Sequence, residues 1–396
     1  MLTHNMAGLG GSYQRSWALA RGLARWDVEV TLMASRRTPG WGQVEEDAGG
    51  VRVVQMADRF HQRVRHGGLS PMDIVGRLGY VRLLRFDVIH GFDHRPAVSL
   101  PALAARRRWG TPFVADWADL WGDGGIAEER RGPVGHLLAR LDDYWENRVH
   151  ATADAATVIS GLLESRALHL GLPAERVRRV GVGSSPDLIQ PWPKMKVRHK
   201  YGVPAGGKIL VLAGFAPYDR DFLVEVMRHL VAEEARVELI LTGGESAPSA
   251  QALGAAGLSA HVREFGIVPF DRLGEILACG DVMLLPLRDR LLNAARFPNR
   301  FGDYLAAGRP IATTRVGEAA TIVERERVGI VAEAQPRPYA EAVVRLLGDP
   351  ELCEAQGRRA RRLAETRYSW EAVAEPAYQL YLSLAGLPPT VRRRSF

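Results

Sequence analysis

Twice along this chain an apolar, strand-like run ends in glycine and passes into a helix-like stretch, and this recurrence limits the fold more than any other feature. Residues 1–5 read as the end of a strand and Ala7-Gly8-Leu9-Gly10-Gly11-Ser12 as a glycine-rich turn. Trp17, Leu19, Ala20, Leu23 and Ala24 then give a helix its apolar face. Far downstream, Lys208-Ile209-Leu210-Val211-Leu212-Ala213-Gly214 repeats the run, with a loop over 215–221 and a helix over 222–232. Strand, glycine turn, helix is the ligand-cradling unit of open α/β sheets, because glycine lets backbone N–H groups approach a phosphate or sugar closely. One such turn decides little, since many glycines merely turn the chain. Further strand-like runs lie at 28–33, 51–54, 86–91, 111–115, 155–160 and 177–183, then at 237–242, 261–266, 281–286 and 311–314. Helical patterns separate them, notably 72–84, 101–108 and 134–149, and three more close the chain at 339–347, 350–365 and 370–384. The alternation predicts an α/β fold of two doubly wound domains, and 396 residues suit two cores better than one. The stretch 184–207, with prolines 186, 191, 193 and 204, reads as the linker. The expected domains are 1–187, 188–369, and 370–396 as a final helix with a basic tail.

Residues 293–312, NAARFPNRFGDYLAAGRPIA, carry the most chemistry. They read as a short buried helix with Pro298 in its first turn and Gly308 and Pro310 as its stop. Arg300 and Asp303, three apart, fall on neighbouring helical positions. A helix start with free N–H groups, a cation and a carboxylate suits a nucleotide, with phosphate at the amides and arginine and sugar hydroxyls at the acid. An ordinary helix bearing a solvated ion pair fits the spacing equally well. In the first half, Asp116-Trp117-Ala118-Asp119-Leu120-Trp121-Gly122 sets two carboxylates and two tryptophans where open sheets bind ligands. Tryptophan faces beside carboxylates suit a sugar ring; the alternative is two core tryptophans with capping acids. Gly124-Gly125 and the charged 128–131 suggest a mobile lid beyond.

Composition removes several classes. No run of eighteen apolar residues exists to span a membrane. Nor does MLTHNMAGLGG have the basic flank and apolar stretch of a signal peptide. Cys279 and Cys353 are only two and far apart, against a metal site or disulfide framework and in keeping with a reducing cytoplasm. The net charge of +7 is uneven: 59–108 holds ten arginines against Asp73, Asp87 and Asp93, and Arg392-Arg393-Arg394 adds a basic tail. That segment is compatible with an anionic membrane surface or, equally, with a solvated surface in a chain that has only four lysines. It lacks the interleaved aromatics of a nucleic-acid binder. Only MLTHN precedes the glycine-loop region, short for a strand, which leads to the expectation that the natural start lies upstream.

In this order and spacing the segments resemble a GT-B retaining glycosyltransferase of family four (glycosyl transferases group 1), over nearly the whole chain. Gly10-Gly11 matches that family's N-terminal glycine loop and Asp87-Val88-Ile89-His90 its "D-V-I-H" strand. Gly214 with Arg220 is similar to the loop whose basic residue binds the donor diphosphate, and Phe265-Gly266-Ile267-Val268 to the stretch lining the nucleobase pocket. Phe297-Pro298-Asn299-Arg300 with Asp303-Tyr304-Leu305-Ala306-Ala307-Gly308-Arg309-Pro310 resembles the "P-x-K-x-x-E-Y-x-A-x-G-x-P" segment. Tyr368-Ser369-Trp370 matches the "F-S-W" opening of a final helix that in that fold crosses back to the first domain. Three departures stand out. The family pairs two acids; Asp303 fills the second place and Ala295 stands at the first. Phe215 occupies the place of a basic residue, and Ala118-Asp119 that of a histidine-aspartate pair.

The resemblance implies two facing Rossmann-like domains and transfer of a hexose-type sugar from a nucleotide-sugar to a glycan, lipid-linked or small-molecule acceptor. It implies no metal and no cofactor. Arg220 and Arg300 would stabilise the leaving diphosphate, with Asp119 the third catalytic candidate. Gly10, Gly11, Gly214, Ile267, Val268, Asn293 and Asp303 would complete the donor site, Asp303 at the ribose. Asp116, Trp117 and Trp121 are the acceptor-side candidates, and Asn293, Asp116 and Asp119 the nearest polar groups to compensate for the missing ones. The expected location is cytoplasmic, at most peripheral to the inner face of the cell membrane. A nucleotide-sugar epimerase of the same architecture and a non-catalytic nucleotide- or sugar-binding relic stay open.

Overall fold

The computed structural model describes residues 1–389; the Arg392-Arg393-Arg394 tail lies outside the described residues. The chain divides into two units, Met1–Gly183 together with the chain from Trp370 onward, and Ser184–Ser369.

The first unit is built on eight strands: β1 (Leu2–Met6), β2 (Thr31–Ser35), β3 (Val44–Asp47), β4 (Arg52–Gln55), β5 (Ile89–Phe92), β6 (Phe113–Trp117), β7 (Ala155–Val158) and β8 (Val177–Arg179). Their order is β3-β4-β2-β1-β5-β6-β7-β8. All neighbours are parallel except β3, which runs antiparallel on β4 at the edge. The strand order therefore reverses between β1 and β5, the position where open sheets leave a crevice at their carboxyl ends. Ile89 to Phe92 and Phe113 to Trp117 are buried throughout, as covering a parallel sheet on both faces requires. The helix Gly11–Ala24 packs Leu19, Ala20 and Leu23 against Ala374 and Ala377 of the final helix Trp370–Leu384.

A helix expected over 101–108 begins earlier, at Pro96, and carries Pro101 in its interior. The proline cannot donate to the Ala97 carbonyl. The fully buried Arg77 guanidinium takes that place, donating to Ala97 O at 3.0 Å while paired with Asp73 at 2.9 Å. The lid expected around 124–131 instead folds as a 3-10 turn, Ile126–Glu129, whose Ile126 and Ala127 amides donate to the carbonyls of Leu120 and Trp121.

The second unit has six parallel strands: β9 (Lys208–Ala213), β10 (Val237–Thr242), β11 (Val262–Glu264), β12 (Val282–Leu285), β13 (Ile311–Thr314) and β14 (Gly329–Ala332). The order β11-β10-β9-β12-β13-β14 again reverses beside the first strand, between β9 and β12. In the helix Arg220–Glu233, Phe222, Leu223, Val226, Met227 and Leu230 form the buried stripe that seats it on the sheet. The presumed linker is not without structure, since Lys194–Lys200 is helical. Arg198 fixes it, buried and hydrogen-bonded to Cys279 O and to Asp281. The stretch 293–312 holds two short helices, Leu291–Ala295 and Arg300–Ala307, rather than one. Pro298 precedes the N-cap Asn299 instead of opening the helix, and its carbonyl accepts from Phe301 N at 3.0 Å. Phe297, packed at a tilt on Phe301 with ring centroids 5.0 Å apart, anchors the extended link.

Candidate functional site

In the second unit the carboxyl end of β9 turns through Gly214, whose amide donates to Thr242 O at 2.7 Å. Gly214 and Gly243 both have positive φ, 64° and 106°, and a Cβ on Gly243 would come within 2.9 Å of the Gly214 Cα. Only glycine allows these two loops to meet backbone to backbone. Facing them is Arg300: a Cβ on Gly214 would lie 3.9 Å from its Nη1. The Nε and Nη2 atoms of Arg300 are buried without a hydrogen-bond partner, and this burial lowers the guanidinium pKa from its ordinary value. Arg300 as a whole is half-buried, and buried donor atoms left unpaired are costly unless an anion completes them.

Around this cation stand the other expected donor-side residues. Asp303, half-buried one turn along, is raised to about 7 by burial against the opposing pull of Arg300. Asn293 is fully buried, donates through Nδ2 to Asp219 Oδ1 at 3.1 Å and to Arg288 O at 2.9 Å, and leaves Oδ1 without a partner. Arg220 opens its helix beside the 3-10 turn Pro217–Asp219 but pairs with Glu245 at 2.6 Å. Ile267, exposed, and Val268 follow Gly266, whose carbonyl accepts from Gly243 N at 2.8 Å and Thr242 Oγ1 at 2.7 Å.

Asp219 is the residue that reading the sequence missed. Wholly buried, it binds Asn293 and, at 3.0 Å, Arg296 Nη2. It brings a carboxylate to the short helix where Ala295 stands in place of an acid. Its pKa is raised by burial, with Arg296 opposing. A carboxylate immediately before Arg220 was its one visible signal. A cavity of this unit, about 1130 Å³, lies away from these residues, at the amino ends of the strands beside Lys208, Asp281 and Pro310. Its Lys194 and Arg198 are both bound to Asp281, so its charge is largely internal.

In the first unit the glycine loop is pinned by Asn5, also missed: its Oδ1 accepts from Ser12 N at 3.0 Å and Tyr13 N at 3.3 Å. Gly10, at φ 88°, lies so close that a Cβ there would sit 2.4 Å from that oxygen; Gly11 opens the helix. Asp116 is fully committed, with a two-point pair to Arg15 at 2.8 and 2.9 Å and a bond from Thr157 Oγ1 at 2.5 Å. Its pKa falls although burial pushes it up, because Arg15 outweighs that penalty. Trp117 is buried, stacked on His150, and donates to Glu146 at 3.0 Å. Glu146 also accepts from the amides of Trp121 and Gly122, at 3.0 and 2.7 Å, and burial raises it to about 7. Asp119 and Trp121 line a small cavity with Ser12, Asp93 and His94. Asp93 holds a positive φ of 88° there and sits 3.1 Å from His94 Nδ1. Burial pushes Asp93 up, but His4, His94 and Arg95 bring it to about 2. Among the described residues no group of three or more His, Cys, Asp or Glu could hold a metal ion.

Residues 10–183 match the Glycosyl transferase 4-like domain, and residues 207–349 match Glycosyl transferases group 1. The chain is a glycosyltransferase of the GT-B fold. This glycosyltransferase is 28% identical to the D-inositol 3-phosphate glycosyltransferase of Thermobispora bispora, over 92% of this chain and 87% of that one. Its fold is shared with sucrose-phosphate synthase from Thermosynechococcus elongatus, at TM-score 0.77 and 19% identity over 97% of this chain and 98% of that one. An Anabaena protein solved with UDP and glucose is similar at TM-score 0.68 and 16% identity, over 98% and 99% of the two chains. The reaction class of the glycosyltransferase is sugar transfer from a nucleotide-sugar donor.

Proposed function

We propose that this glycosyltransferase moves a hexose-type sugar, with retention of anomeric configuration, from a nucleoside diphosphate sugar to an acceptor hydroxyl. The donor is held by the second unit and the acceptor by the first. The observation that carries this reading is the Arg300 guanidinium facing the Gly214 loop, its Nε and Nη2 buried without a hydrogen-bond partner. In the reaction the bond between the anomeric carbon and the diphosphate oxygen breaks. The acceptor oxygen bonds to that carbon on the same face, and its proton passes to a donor phosphate oxygen. The leaving diphosphate gains charge as the bond breaks, so groups that bind it more tightly at that moment accelerate the step. Arg300, the loop amides and Arg220 released from Glu245 fill that role. Asp303 accepts from ribose hydroxyls. Asn293, through its unpaired Oδ1 and held by Asp219, accepts from the sugar.

The acceptor class is a glycan, a lipid-linked sugar or a small molecule. Inositol 3-phosphate is the first to assay, since it appears in the name of a relative covering most of the chain. Thermal-shift screening against UDP-, GDP-, ADP- and dTDP-sugars finds the donor, because a ligand of the folded state raises the melting temperature. NMR of the product then reads the anomeric configuration. Inversion ends the retaining assignment, and a free epimer of the donor sugar without transfer favours the epimerase.

A further inference from the structure

The helix Gly132–Thr152 presents an unusual outer face. Val134, Leu137, Leu138, Leu141 and Tyr144 recur at helical spacing, yet each is between 46% and 71% exposed. They form one stripe over three turns of a 21-residue helix, where a soluble surface ordinarily carries polar groups. The charges of the same helix are sorted. Its acids face inward: Asp142 pairs with Arg95 and Arg130, Asp143 accepts from Asn147 and Arg166, and Glu146 is buried under the tryptophan loop. Its exposed charges are Arg140 and Arg148, with Arg131 just before the helix, and none of the three is in an ion pair among the described residues; the exposed acids nearest its start, Glu128 and Glu129, belong to the preceding 3-10 turn. Towards the carboxyl end of the stripe, a cavity of about 510 Å³ is lined by Leu103, Arg106, Arg107, Trp145 and Arg148. Arg106 is bound to Asp154, leaving Arg107 and Arg148 to meet an anion there.

We infer that this face docks on an anionic phospholipid surface, with the leucines entering the headgroup boundary and Arg107, Arg140 and Arg148 meeting lipid phosphates. Apolar side chains bordered by cations, with the helix's own acids paired or buried away from the stripe, suit an interfacial helix. A second copy of the chain fits less well, because like-charged arginine borders would be brought together. Of the arginine-rich segment 59–108, Arg65, Arg77 and Arg95 are buried and bonded within the unit, while Arg107 is exposed beside the stripe's carboxyl end. The stripe therefore places the contact on the helix that follows the tryptophan loop.

The test is flotation of the full chain with vesicles of neutral phosphatidylcholine and of phosphatidylcholine mixed with phosphatidylglycerol, at low and high salt. Binding is expected to the mixed vesicles only and to weaken at high salt. Leu137→Ser/Leu141→Ser should lower it at least tenfold, as should Arg140→Glu/Arg148→Glu, each with unchanged circular dichroism and melting temperature. No flotation of the wild type, equal binding to neutral vesicles, or full binding by the folded leucine variant overturns the inference. A dimer in sedimentation that the leucine variant dissolves, without vesicle binding, also overturns it and assigns the stripe to a second copy.

Discussion

The hydroxyl of Tyr304 accepts a hydrogen bond at 2.9 Å from the backbone N–H of Ala213, 91 residues earlier in the chain. The same hydroxyl donates to Leu284 O at 3.2 Å. One phenol thus ties the end of β9, the end of β12 and the Arg300 helix at the point where the glycine loop begins.

Tyr304→Phe keeps the packing but leaves the buried Ala213 amide without its partner. It should lower stability by about 1–3 kcal/mol in chemical denaturation. Donor affinity, read by calorimetry, should fall several-fold because the loop loses its fixed distance from Arg300. Unchanged affinity would mean that the loop is set without the phenol.

Arg300 and Arg220 should differ. Arg300→Met should lower turnover on the order of a hundredfold to a thousandfold, and Arg220→Met on the order of tenfold, because Arg220 is already partly neutralised by Glu245. Arg300→Met should also raise the melting temperature of the free enzyme, since it removes two buried donor atoms that have no partner. Equal effects of the two substitutions on turnover would count against Arg300 as the principal diphosphate contact.

Asp303 sits near 7 in the free protein. Donor hydroxyls favour its ionised form, so binding of a nucleotide-sugar, which does not itself titrate in this range, should tighten from pH 6 to pH 8. In Asp303→Asn the pH profile should be flat and the affinity weaker by about 1.5–3 kcal/mol. A sloping profile in the variant would assign the titration elsewhere.

The first unit should be acid-sensitive. Burial lowers His90 to about 3 and His94 to about 4, with Asp116 and Asp93 respectively opposing it. Between these values and the ordinary histidine pKa, the unfolded chain binds protons that the folded one refuses. Stability therefore falls as pH drops from about 6.5 towards 4, by a few kcal/mol. His90→Gln should flatten part of that slope in melting curves taken across the window.

Much of the architecture was legible because parallel strands covered on both faces are written as continuous apolar runs, as in Lys208–Ala213. The helices Pro350–Glu365 and Trp370–Leu384 were read with their observed bounds, Pro350 marking a first turn. Val44–Asp47 was not legible: three of its four residues are acidic and exposed, and only pairing with β4 makes it a strand. The helix Lys194–Lys200 was hidden among prolines because its anchor is tertiary, Arg198 reaching Asp281. At the site, Gly214 and Arg300 could be named in advance from local motifs. Asp219 could not, since its meaning depends on Asn293, 74 positions away.

The chain passes from the first unit to the second at Gly183 and returns at Trp370. Leu19, Ala20 and Leu23 stay uncovered until Ala374 and Ala377 of the last helix arrive. A ribosome therefore releases the second unit's whole sequence before the first can close, so the part translated first is the part finished last. Chains halted near residue 369 should carry one native half and one sticky half.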